Sequence, residues 1–298
     1  MPAKWFSLLA SLLAVAPHFC QAQSLQVGAL SRSYVVRAPQ GLQPGTPVPL
    51  VFVLHGGGGN AANAERMTGF TAKAQREGFI VVYPDGSGRL RRGLLTWNAG
   101  HCCGYAMSQK VDDVTFIGAL IDELAKTYPI DPKRIYVTGM SNGGMMAHRL
   151  GIELAARIAA IAPVVGAMFG DERMPAPGVA ALMINGMQDQ NVPFMGGASA
   201  GPGKNAWDGT PAKPALDQGT FWAKANECSS KPSKQDSATL TQWRYQCPGT
   251  RAVAVLALKQ GGHSWPGGER GRPQADQPSA ALVATDVIWE FFKAHPKE

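Results

Sequence analysis

The 298-residue sequence predicts an α/β fold in one domain, with a mostly parallel central sheet covered by helices on both faces. Three observations predict it. Short β-branched runs alternate with longer segments of helical period, the order expected when each strand is followed by a crossover helix. Several of the runs are apolar at consecutive positions, as strands buried on both faces must be. No internal repeat or interdomain linker interrupts the alternation, and no appended binding module follows it.

The chain opens on a segment set aside from the fold. Lys4 precedes an apolar run from Trp5 to Ala16, which is too short to span a bilayer, and Pro17 then breaks it. Cys20-Gln21-Ala22 places small residues where a signal peptidase reads, so residues 1–22 are expected to be a signal peptide, with cleavage near Ala22. Pro17-His18-Phe19 lacks the small residues that a lipid anchor on Cys20 would require. Residues 23–298 are then the single catalytic domain, long enough for a sizeable core. An exported protein, periplasmic or extracellular, follows.

Within that domain strands are expected at Ser33–Arg37, Pro49–Leu54, Phe79–Tyr83, Arg134–Thr138, Ala160–Val165, Val179–Ile184 and Ala252–Leu258. Helices are expected at Ala61–Glu77, Asp113–Tyr128, Asn142–Ala156, Asp217–Ala225 and Ala280–Ala294. Two long loops, 86–109 and the Gly/Pro/Ala-rich 196–216, break the pattern and are of the kind that shapes binding sites.

The formal charge of +7 falls to +6 with the loss of Lys4, and the denser basic stretch Arg89-Arg91-Arg92 has no interleaved aromatics. A nucleic-acid partner is therefore not expected, nor a membrane partner once the leader is gone, and the domain should act as a monomer. Four cysteines remain, Cys102, Cys103, Cys228 and Cys247, an even number that favours disulfides in an exported chain. Of three possible pairings Cys228–Cys247 is expected, which closes a loop and stabilises by roughly 3 kcal/mol in the chain-entropy model. Cys102 and Cys103 either bridge each other or stay reduced. Neither pair has the CxxC spacing of a zinc site, and no metal is expected.

Gly139-Met140-Ser141-Asn142-Gly143 carries the chemistry. A strand runs into it and an amphipathic helix leaves from it. This is the context of a nucleophile elbow, a strained turn that exposes a serine hydroxyl while flanking glycines let strand and helix pass. A serine needs a base, and the chain has six histidines. His18 leaves with the leader, His55 precedes the elbow, His148 lies two turns down the following helix, His295 sits at the C-terminus and His101 lies beside the cysteines. His263 follows a late strand, in Gly261-Gly262-His263-Ser264-Trp265-Pro266, and so fits the chain order Ser, acid, His. Asp189, on the loop after Val179–Ile184, is the expected acid, ahead of Asp171, Asp208, Asp217 and Asp236. Two backbone N–H groups should form an oxyanion hole: that of Asn142 and one from His55-Gly56-Gly57-Gly58-Gly59, with Gly57 preferred and Gly58 next. The glycine run lacks the Lys-Ser/Thr of a phosphate loop. Asp112 and Asp113, at a helix start, read as caps rather than metal ligands. Trp97 and Trp265 are candidates for an apolar, substrate-binding wall. Acyl transfer through such a site needs no cofactor.

These segments resemble the secreted esterase family that includes feruloyl esterases and polyhydroxybutyrate-depolymerase-like enzymes, within carbohydrate esterase family 1 of the α/β-hydrolases. The resemblance runs from about Ser33 to the C-terminal helix. It rests on His55–Asn60, Tyr83-Pro84-Asp85-Gly86, Trp97-Asn98-Ala99-Gly100 with Cys102-Cys103-Gly104, Val111–Val114, Gly139–Gly144, Asp189 with Val192-Pro193, and His263–Gly267. It implies an α/β-hydrolase fold, a triad at Ser141, Asp189 and His263, and a small-molecule or polymer-linked ester as substrate. A feruloyl group on plant polysaccharide is the expected acyl ester, with polyhydroxyalkanoate or short-chain esters as the alternative. Asn185 stands where related sequences often carry a histidine, and Gly57 where some depolymerase-like members carry a side chain.

Overall fold

A computed structural model describes residues 23–43, 45–90 and 93–298. The leader expected at residues 1–22 and the basic pair Arg91-Arg92 lie outside the described residues. Ten strands form one sheet: β1 (Gln23–Val27), β2 (Leu30–Arg37), β3 (Val48–Leu54), β4 (Ile80–Pro84), β5 (Ile130–Met140), β6 (Ala160–Val164), β7 (Ala180–Gly186), β8 (Ser233–Asp236), β9 (Leu240–Tyr245) and β10 (Val253–Leu258). Their spatial order is β1-β2-β4-β3-β5-β6-β7-β10-β9-β8. The run from β4 to β10 is parallel throughout, and antiparallel strands close each side. All of the expected strands belong to this sheet. Of the three that the sequence does not announce, β1 and β8 are the two edge strands and β9 pairs between β8 and β10; in β8, Ser233–Asp236 is exposed along its length and carries no apolar period.

Two cores explain the continuous apolar strands. Along β3, Leu50, Phe52 and Leu54 face one core while Val51 and Val53 face the other, and all seven residues of the strand are buried. The first core receives Phe116, Ile117 and Leu120 from α4 (Asp113–Thr127), Met146 and Leu150 from α5 (Asn142–Glu153), and Trp222 from α6 (Ala215–Ala225). The second receives Ala64 and Met67 from α1 (Ala61–Thr68), Phe70 and Ala74 from α2 (Phe70–Glu77), and Ile288, Trp289 and Phe292 from α7 (Ala284–Ala294). A short α3 (Gly104–Ser108) lies in the long loop after β4.

One expected helix is two. Residues 61–77 break at Gly69, whose φ of 67° is left-handed and whose N–H caps the carbonyl of Glu65. The last helix begins at Ala284 rather than Ala280. Cys228 and Cys247 are bonded as expected, joining the segment after α6 to the segment after β9, and Cys102 and Cys103 are bonded to each other.

Candidate active site

Because β3, β5, β6, β7 and β10 run parallel, the loops that follow them gather at one carboxyl edge of the sheet. Ser141 follows β5 there. It adopts φ 57° and ψ −123°, a conformation a non-glycine residue holds only when its surroundings enforce it. The enforcement is visible. Its N–H donates to Val164 on β6 (2.9 Å), and its carbonyl accepts the first bond of α5 from Met145 (2.8 Å). The flanking glycines are obligatory. A Cβ on Gly139 would stand 2.6 Å from the Gly143 carbonyl oxygen, and one on Gly143 would stand 2.5 Å from those of Leu54 and His55.

Asp189 and His263 meet. The Asp189 side chain is fully buried, and its Oδ2 lies 2.8 Å from Nδ1 of the half-buried His263. Its Oδ1 accepts from the N–H groups of Asn191 (2.8 Å) and Val192 (2.9 Å), which fixes the carboxylate from the other side. A buried carboxylate facing Nδ1 selects the tautomer that carries its proton there and leaves Nε2 as a base. A second carboxylate, Asp276 Oδ2, accepts the His263 backbone N–H at 2.6 Å and anchors the loop. No hydrogen bond joins the ring to the Ser141 hydroxyl among the described residues.

The other described histidines are occupied elsewhere. His55 is buried, its Nδ1 2.8 Å from the Gly56 carbonyl and its Nε2 accepting the Gly86 N–H (2.9 Å); burial lowers its pKa to about 4. His148 lies in the core between Trp222 and Gln218, and burial lowers its pKa to about 3. His295 caps the end of α7 through Phe291. His101 faces Asp171 and Asp208.

The glycine run lies along the nucleophile turn. A Cβ on Gly56 would be 3.5 Å from that of Ser141, and one on Gly57 would be 3.7 Å from that of Asn142. Gly58 donates its N–H to Leu95 (2.8 Å) and Gly59 donates to Gly56 (3.0 Å). Gly58 is thereby spent. Among the described residues no acceptor takes the exposed Gly57 N–H. The Asn142 N–H, at the first position of α5, lacks an intrahelical acceptor by construction.

Three expectations need correction. Trp97 and Trp265 are 0% and 1% exposed, and their ring N–H groups are satisfied by the His55 carbonyl (3.0 Å) and Thr285 Oγ1 (3.1 Å). They pack inside the two cores and offer no wall to a substrate. Asp112 does cap α4, through the N–H and hydroxyl of Thr115, but Asp113 does not. Its fully buried carboxylate pairs with Arg32 at 2.7 Å and accepts the Asn98 N–H at 2.7 Å. Burial pushes this carboxyl above the usual range, against the pull of Arg32. The pairing spans 81 positions, which no local pattern encodes. No group of three or more His, Cys, Asp or Glu side chains suited to a metal ion occurs among the described residues.

Comparison with known proteins places this geometry in a family. The model of the family described as "Esterase PHB depolymerase" matches residues 32–213. Feruloyl esterase B of Piromyces equi is 31% identical over 249 residues, covering 80% of this chain and 44% of the relative. The bifunctional acetylxylan esterase/xylanase XynS20E of Neocallimastix patriciarum is 33% identical over 262 residues, covering 87% of this chain and 33% of the relative. The chain thus spans less than half the length of these two relatives. An acetyl xylan esterase from Aspergillus awamori superposes with a TM-score of 0.63 at 14% identity, covering 92% of this chain and 99% of that one, which shows a shared α/β-hydrolase fold. With the match extending over more than half of its length, the chain belongs to the esterase and PHB-depolymerase family.

Proposed function

We propose that this chain is a secreted serine carboxylic ester hydrolase that works through a covalent acyl-serine, with phenolic esters such as feruloyl groups on plant polysaccharide as its substrates. The observation that carries the reading is the buried Asp189–His263 pair at the carboxyl edge of the sheet, the same edge that carries a serine held at positive φ. His263 Nε2 takes the Ser141 proton as the hydroxyl attacks the ester carbonyl. Asp189 stabilises the imidazolium that forms. The tetrahedral oxyanion collects the N–H groups of Gly57 and Asn142, and the histidine returns its proton to the departing alcohol. Water activated by the same ring then releases the acid. Catalytic hydrogen bonds in ligand-free hydrolases are often long and tighten only around substrate, which is compatible with the unbonded Ser141 hydroxyl.

Secretion is supported by the leader pattern at residues 1–22 and by the two disulfides, which persist in oxidising compartments. The phenolic-ester assignment is supported by the named activity of the Piromyces relative. The family description favours a second reading, polyhydroxybutyrate or short-chain ester hydrolysis. Release of ferulate from methyl ferulate, measured against clearing of polyhydroxybutyrate granules, separates the two. Fast clearing with negligible ferulate release reverses their order. An organophosphorus reagent should label Ser141 and leave Ser141→Ala unlabelled. Absence of label on the folded wild-type protein would sink the serine-hydrolase reading.

A further inference from the structure

One imidazole joins three loops that rise from the carboxyl ends of three different strands. His101 follows β4, Asp171 follows β6 and Asp208 follows β7. His101 Nε2 lies 2.9 Å from Asp171 Oδ2, and Nδ1 lies 2.8 Å from Asp208 Oδ2 and 3.1 Å from Thr210 Oγ1. The backbones follow the side chains. The Asp208 N–H donates to the His101 carbonyl (3.1 Å), and Cys102 pairs with Trp207 in an isolated antiparallel bridge. The ring also lies 5.0 Å from that of Phe169, which meets Trp207 edge-on at 5.6 Å.

The place of this junction gives it meaning. In the sheet β6 lies between β5, which delivers Ser141, and β7, which delivers Asp189. The loop carrying Phe169 and Asp171 therefore rises between nucleophile and acid, and the 187–214 loop flanks it. With Trp97 and Trp265 buried, the half-buried Trp207 is the aromatic side chain that these loops leave partly open.

Resting on the esterase reading, we propose that His101 is a positioning residue for substrate selectivity: as an imidazolium it clasps the loops after β4, β6 and β7 into one rim, and so sets Trp207, backed by the buried Phe169, for a bulky acyl group. Both ring nitrogens face carboxylates, so both must donate, and only the charged ring can do so. The hydrogen bond to Asp171, helped by that to Asp208, holds the ring's pKa above the ordinary histidine value. The remaining charges nearby do not replace it. Glu172 is spent on the N–H groups of Phe169 and Gly170, Lys213 lies over Gly170, and Arg149 is held by Glu153 and the Asn98 carbonyl. Losing the ring proton as pH rises turns one of the two ion pairs into a lone pair facing a carboxylate, and the rim loosens.

Two measurements test this on the mature protein. Trypsin should cut after Lys204 in His101→Gln at least about fivefold faster than in wild type, because a neutral amide cannot hold both carboxylates. The ratio of KM for methyl cinnamate to KM for 4-nitrophenyl acetate should rise about fivefold in wild type between about pH 6 and about pH 8.5, and should be high and flat in His101→Gln. Asp171→Asn, at a side chain 70% exposed, repeats the test from the solvent side should the histidine variant fold poorly. Equal trypsin rates in wild type and both variants overturn the clasp and leave the esterase reading intact. Faster cleavage with a KM ratio that does not move overturns the selectivity role. Faster cleavage in a protein whose wild type hydrolyses neither ester sinks the esterase reading, and the selectivity role with it, while leaving the clasp.

Discussion

The Asn142 carboxamide holds the Trp97 backbone at both ends: Oδ1 accepts the Trp97 N–H at 2.7 Å and Nδ2 donates to the Trp97 carbonyl at 3.0 Å. The residue whose backbone N–H is the proposed oxyanion donor thus uses its side chain to fasten the loop after β4 to the nucleophile elbow. Trp97 returns the contact by donating its ring N–H to His55, at the root of the glycine run.

Asn142→Ala keeps the backbone donor and removes both clamps. It leaves the buried Trp97 N–H unpaired, at about 1–3 kcal/mol, while the Trp97 carbonyl keeps the Cys103 N–H (3.0 Å). Displacing the oxyanion donors by a fraction of an ångström should lower kcat by about tenfold or more. Steady-state kinetics alongside thermal denaturation check this; an unchanged kcat with a lowered Tm would show that the clamp serves stability alone.

Asp189→Asn should be far more damaging to turnover than to folding. The amide can donate to Nδ1 and so favour the wrong tautomer, leaving Nε2 protonated and unable to act as base. A loss of roughly 10⁴-fold in kcat is expected, with Tm little changed. A loss of less than about tenfold would remove Asp189 from the role of acid.

What the sequence reveals here follows from how local each cause is. The central strands are legible because burial on both faces writes itself into consecutive residues such as Val48–Leu54. The turn at Ser141 is legible because Gly139 and Gly143 must be glycine, and Asp189 and His263 because each follows a strand. The break at Gly69 is written in the sequence but masked by a helical period that continues across it. Trp265 looks like a substrate wall because it lies two residues past His263, and Trp97 because it sits in a long loop, whereas tertiary packing turns both inward. Asp113 sits where a cap belongs, and only the fold brings Arg32 to it.

That buried pair carries its own expectation. Arg32 also donates to the Asp85 carbonyl (3.1 Å) and stands 4.1 Å over the Phe116 ring, so its charge is embedded in the first core. Arg32→Met strands the Asp113 carboxylate and should cost about 3–5 kcal/mol, whereas Arg32→Met with Asp113→Leu should recover a substantial part. Denaturant unfolding of the two variants decides it. A double variant no more stable than the single would show that the pair is not the unit of stability.

Acid stability is set by two histidines buried in neutral form. His148 and His55 have folded pKa values lowered by burial to about 3 and about 4, against 6.5 for the free side chain. A depressed folded pKa contributes stability that is present above the unfolded value and is lost as pH falls, because the unfolded chain takes up protons that the folded chain refuses. Between about pH 6 and about pH 5 most carboxylates are still ionised, so each histidine should remove up to about 1.4 kcal/mol per pH unit. The His101 clasp works in the opposite sense, since a raised pKa gives stability that is lost as pH rises, while His295, lowered by burial, adds to the acid-side loss of the buried pair. His148→Gln should lower the slope of unfolding free energy against pH in that window by up to about 1.4 kcal/mol per pH unit, whatever its effect on absolute stability. Denaturant melts at closely spaced pH values measure the slope. The same slope in both proteins would mean that His148 is already charged, or already exposed, in the folded state.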